Sequence, residues 1–182
     1  MSRNLTAEEK KAWILENCIN EHGNIDLKEL DFSDFDGNVY IGRMKVKGNL
    51  SQGRQEVQGN LYQGFQKVQG ILAQEHQEVK DNLYQYGQEV QENLYQYEQK
   101  VKGNLHQDFQ QVKGDLYQSF QRVKRALWQD NQEVESSLHQ AHQKVQGDLY
   151  QHSQKVEGDL YQNRQEVKGE TFQDKIGGNG NE

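Results

Sequence analysis

Valine returns every 11 residues from Val46 to Val167, at 46, 57, 68, 79, 90, 101, 112, 123, 134, 145, 156 and 167. Leucine follows each valine by four residues, from Leu50 to Leu160, with Thr171 in the twelfth unit. A glutamine stands six residues after every valine, from Gln52 to Gln173. A second stands nine after it in eleven units, and Ile176 takes its place in the last. The consensus is V-x-G-[ND]-L-[YHW]-Q-x-x-Q-[KE]. One such unit has too few apolar residues to bury a core alone, so the units must stack on one another.

Only 32% of the 182 residues are hydrophobic and the mean hydropathy is -1.13. That is too polar for a two-layer domain with a wide core. The remaining choices are a disordered chain, a long helical assembly or a thin solenoid. Strict periodicity argues against disorder, which has no reason to hold register.

Eleven residues fit three helical turns at about 3.67 residues each, which would give a right-handed coiled coil. Glycine at the third position of eight units opposes this alternative. Each interior glycine costs about 0.8–1 kcal/mol against alanine, so eight cost roughly 6–8 kcal/mol. The strand reading fits better. In V-x-G-x-L three residues alternate onto one face, Val and Leu fill the interior, and Gly admits a neighbouring backbone. The Y-Q-x-x-Q portion turns the chain, and glutamines at matching heights form amide ladders along the axis. One unit is too short to close a coil; two units, 22 residues, close it. The expectation is a β-solenoid of about six coils, roughly 30 Å long at about 4.8 Å per coil.

The flanks divide the rest. Residues 1–24 read as an N-terminal capping helix, with Thr6 and Glu9 as its capping box and Gly23 as its stop. Residues 25–45 form an entry coil, 46–176 the twelve repeats, and 177–182 a flexible tail. Within the entry coil, Ile25-Asp26-Leu27-Lys28-Glu29 and Leu30-Asp31-Phe32-Ser33-Asp34 are two blocks of five, and Phe35-Asp36-Gly37 begins a third. This stretch, residues 25–37, resembles the pentapeptide-repeat family, whose pattern is close to A-(D/N)-L-x-x. The resemblance implies a right-handed, four-sided β-helix, and some members of that family inhibit DNA topoisomerases by imitating DNA. The 11-residue repeats depart from the family pattern.

No constellation reads as an enzyme active site, and no P-loop, dinucleotide fingerprint or nucleophile elbow is present. No cofactor motif is found. Six histidines lack partners at zinc spacing. The Asp31–Gly37 run fails as a calcium loop because Phe35 and Gly42 fall where ligands are required. Cys18 is the single cysteine, so no internal disulfide forms. There is no apolar signal core or membrane-length run, so the expected compartment is the cytoplasm. A net charge of -7 argues against direct nucleic-acid binding.

The position after leucine is aromatic in most units. In a two-unit coil, Tyr62, Tyr84, His106, Trp128, Tyr150 and Phe172 fall in one file. Such a file stabilises the solenoid by stacking, or anchors a partner. The fourth position supplies Asp115, Asp148 and Asp159. The candidate partner-binding set is Tyr62, Tyr84, Trp128 and Tyr150 with Asp115, Asp148 and Asp159. The function expected is a non-enzymatic binding or inhibitor protein that presents this aromatic and acidic face to a basic or nucleic-acid-binding protein. DNA mimicry or steric block in a phage or mobile element is what the family resemblance implies. The alternative is a structural, self-assembling protein whose coil ends stack into a homodimer or filament.

Overall fold

The computed structural model describes residues 24–27 and 38–174; the capping helix expected in residues 1–24, but for residue 24 itself, most of the blocks of five and the tail lie outside them. The described chain is an all-β parallel solenoid with no helix. Every strand is two to four residues long. The strands stack into two seven-stranded and two six-stranded sheets, all parallel.

The register is 22 residues. Val90 pairs with Val68 and Val112, and Leu94 with Leu72 and Leu116. Two units therefore make one four-sided coil. Its sides, in chain order, are an odd valine face (the Val46 file), an odd leucine face (Leu50), an even valine face (Val57) and an even leucine face (Leu61). The two valine faces lie on opposite sides.

V-x-G-x-L does not run as one strand. Val and Leu point inward as the alternation predicts, but the third position does not: Asp81, Glu92 and Arg125 are exposed there, and the backbone bends between Val57 and Leu61, leaving Glu56–Val57 and Leu61–Tyr62 as separate strands. The third-position glycine sits at this corner because the coil below lies against it. A Cβ on Gly147 would stand 2.8 Å from the Arg125 carbonyl carbon and oxygen. The fourth-position Asn or Asp fastens the same corner. Asn82 Oδ1 accepts the Asn104 N–H at 2.8 Å, and Asp148 Oδ1 accepts the Glu170 N–H at 2.9 Å.

The Q-x-x-Q corners are tighter. The residue before the second glutamine has a left-handed backbone throughout the repeats, with φ of 51–59° at ten non-glycine positions and 64° at Gly87; Arg43, before Met44 in the entry coil, shares it at 58°. Both flanking glutamines then turn inward. Among the repeats, the glutamines of these two corner positions, from Gln52 to Gln151, are at most 1% exposed.

The interior is thus half apolar and half amide. Four glutamine files climb the axis; in one, Gln74, Gln96, Gln118 and Gln140 each donate to the glutamine one coil below at 3.0–3.1 Å. Glutamines from the two opposite corners also meet across the coil, as in Gln63 to Gln55 and Gln66 to Gln52, both 3.0 Å. A buried primary amide survives only when its donors and acceptor are matched, and in mid-column the repeat supplies matches above, below and beside; near the two ends, Gln55 Nε2 and the Gln151 and Gln154 Oε1 atoms are left without a partner.

The entry coil ends this network with apolar residues. Ile25 stacks under Leu50 and Val39 under Leu61, so Leu27 and Ile41 take the places that Gln52 and Gln63 hold one coil later. Both are buried, and the Ile41 carbonyl accepts the Gln66 amide at 2.9 Å.

Candidate functional site

Stacking at single-coil intervals turns the position after leucine into a column. On the even leucine face, Tyr40, Tyr62, Tyr84, His106, Trp128, Tyr150 and Phe172 form one continuous pile. Neighbouring centroids lie 4.4–5.1 Å apart with planes within 10°. Of the candidate residues, Tyr62, Tyr84, Trp128 and Tyr150 all belong to this pile. Its rings cover one another's faces, so a partner meets ring edges. Burial in the column raises the Tyr62 and Tyr150 hydroxyls above the ordinary phenol range.

Asp148 stands beside the pile, accepting the Tyr150 hydroxyl at 3.4 Å. Asp115 and Asp159 do not join it. They belong to odd units and lie on the other leucine face, where they accept the hydroxyls of Tyr117 at 3.0 Å and Tyr161 at 3.1 Å. The 22-residue period already assigns Asp115 and Asp159 to the half-coils adjoining the Trp128 file, and those half-coils present the other leucine face. Asp115 is also a coil fastener, accepting the Ser136 hydroxyl at 2.6 Å and the Ser137 N–H at 3.1 Å. The Ser136 hydrogen bond comes first among the causes holding its carboxyl below the ordinary range.

The odd leucine face carries a feature that the period did not reveal. Tyr95, Tyr117, His139 and Tyr161 stack there with centroids 4.5–5.0 Å apart. Parallel to them runs the variable eighth position, which holds Tyr97, then Ser119, Ala141 and Asn163. The Tyr97 ring leans on Tyr95 and Tyr117, at 5.7 and 5.8 Å, and narrows the space there; burial raises its hydroxyl strongly. Beyond it the side chains shrink and a groove of about 380 Å³ opens. Ser119 and Ala141 line it between the tyrosine file and Phe120, and Glu75, His76 and Glu98 line it beside Tyr97. The signal for it was the run of small residues at one variable position, which a consensus averages away.

Among the described residues, no group of three or more His, Cys, Asp or Glu side chains is placed to hold a metal ion. Fold and surface together define a parallel β-solenoid repeat protein with aromatic columns on two sides. No protein-family model, curated protein or solved structure matches the chain.

Proposed function

We propose that this protein is a non-enzymatic binding protein whose groove on the odd leucine face receives an extended, basic segment of a protein partner. The observation that carries this reading is the groove itself. It is concave, aromatic on both walls, small along its floor, and carries Glu75 and Glu98 at the Tyr97 end. Aromatic walls supply burial at little entropic cost, and the carboxylates favour a cationic occupant. Steric block of that partner is the form of inhibition this supports. Mimicry of DNA has less support, because Asp115 and Asp148 each spend an oxygen on the next coil.

The test fills the groove without touching the core. Ala141→Tyr places at the eighth position a side chain that the same position already carries at Tyr86 and Tyr97. A partner recovered from lysate on the parent protein should be lost on this variant while the melting temperature holds. Retention of the partner would remove the groove from the reading.

Self-assembly is the second reading. It is favoured by the last described coil, where Phe172 is 36% exposed and Leu160 and Val167 are only partly buried. Sedimentation across a concentration series separates it from a monomeric binder.

A further inference from the structure

We propose that the even valine face binds the phosphodiester backbone of a nucleic acid, independently of the groove. This face carries, outside Val101, Val123 and Val145, the cations Lys100, Lys102, Arg122, Lys124, Arg125 and Lys144, every one of them exposed. Lys100 pairs with Arg122 and Arg122 with Lys144 in the same parallel sheet, so three cations face one another at successive coils. Like charges directly across strands destabilise a sheet. Elsewhere the solenoid relieves such contacts: Lys67 donates to Glu89 at 2.7 Å, and Lys80 lies within 3.6 Å of both Glu56 and Glu78. In the basic patch, Lys102, Arg122, Lys124 and Arg125 make no ion pair with any described residue. Only its margins are neutralised, by Glu78 at one end and Glu166 at the other.

The net charge of -7 conceals this, because the charge is divided among faces. The opposite valine face cannot be the natural complement in a second copy. It mixes Lys67, Lys113 and Lys155 with Glu89, Glu133 and Glu135 and has no continuous negative field. A planar anionic membrane is a poor match too: the patch has no apolar side chain to insert, and Glu56, Glu78 and Glu166 would meet the same surface. A linear polyanion lying along the axis touches the cations and little else. The patch spans three coils, about 10 Å at about 4.8 Å per step, which is the length of about three nucleotides at about 3.4 Å each.

Bases contribute nothing to this contact. The neighbouring aromatic column offers ring edges only, since its faces are occupied by one another, and stacking of a base needs an open face. Binding is therefore independent of sequence and favours duplex, whose charge density is one per about 1.7 Å. Six phosphate contacts give a salt slope near -5 and a loss of about a thousandfold between 50 and 200 mM salt.

The experiment is fluorescence anisotropy of a labelled DNA duplex, and of the same single strand, titrated with the full chain. The expected result is salt-dependent binding of both, tighter for duplex. It should weaken at least a hundredfold in Arg122→Glu with Lys124→Glu, and stay unchanged in Ala141→Tyr and in Lys113→Glu on the opposite valine face. Circular dichroism of the double variant checks that the solenoid persists, and Arg122→Gln with Lys124→Gln repeats the test without charge reversal. Absence of binding at 50 mM salt overturns the proposal, as does binding by both double variants as tight as by the parent protein. So does capture of anionic phospholipid vesicles with no affinity for duplex. Since Ala141→Tyr reads the groove and the double variants read this face, each proposal fails on its own measurement.

Discussion

The Gln96 amide nitrogen donates to the Gln74 amide oxygen at 3.1 Å inside a core that excludes solvent from both side chains. Gln96 also donates sideways to Gln88 at 3.3 Å and accepts from Gln118 at 3.1 Å. Gln96→Leu keeps the volume and strands those partners. An unmatched buried polar group costs about 1–3 kcal/mol, so the total should be about 3 kcal/mol or more. Gln165→Leu should cost far less, since Gln165 is only part-buried and bonds to Gln143 alone among the ladder glutamines. Denaturant unfolding of the two variants measures the difference, and equal losses would mean the ladder adds nothing beyond packing.

Leu94 is fully enclosed, whereas Gln91, three residues earlier, is exposed. Leu94→Asp should cost several kcal/mol, because the charge has no partner there. Gln91→Lys should leave the melting temperature unchanged. Two units per coil, the inward Val and Leu, and amide stacking were all legible from the period alone, because a solenoid repeats its interior at fixed intervals. The corner inside V-x-G-x-L was not, since Val and Leu lie inside whether the chain runs straight, which would turn the third residue inward, or bends and leaves it outside, as at Glu92 and Arg125. Nor was the burial of both glutamines, which depends on the left-handed residue between them.

Phe109 occupies that left-handed corner with φ 55° and is 62% exposed. A left-handed backbone costs an ordinary residue about 1–2 kcal/mol, and asparagine tolerates it better. Phe109→Asn should therefore raise stability by about 0.5–1 kcal/mol, visible as a higher melting temperature. Asn131 already fills the equivalent place one coil on. Gly87→Ala should do the reverse, since the new Cβ meets the Phe65 ring at 2.9 Å.

Asp130 sits one coil above Asp108, and burial, followed by the nearby Asp108 and Asp174 charges, raises its carboxyl above the ordinary range. A raised folded value means the group favours the fold when protonated. Its contribution is present at low pH and is lost as pH rises through the folded value. Asp130→Asn keeps the oxygen that accepts the His152 N–H at 2.7 Å. It should raise the melting temperature at neutral pH, with the gain vanishing in acid below the ordinary aspartate range. A gain that persists unchanged in acid would assign the effect to something other than the carboxylate.

Spacing told which residues share a position and which half-coil carries them, but a binding face also depends on whether a ring shows a face or an edge. Trp128 decides that point. It lies between His106 at 4.4 Å and Tyr150 at 5.1 Å, with both planes within 3° of its own. Aromatic pairs of this kind contribute about 0.5–1.5 kcal/mol each beyond burial, and Trp128→Ala breaks two of them in mid-column. Phe172→Ala removes only the contact with Tyr150, 4.9 Å away at the end of the column. The expected outcome is a loss of about 2 kcal/mol or more for Trp128→Ala and less than half of that for Phe172→Ala, read by denaturant unfolding. If both variants leave stability unchanged and Trp128→Ala instead speeds the release of a captured partner, the column is a docking surface rather than a structural element.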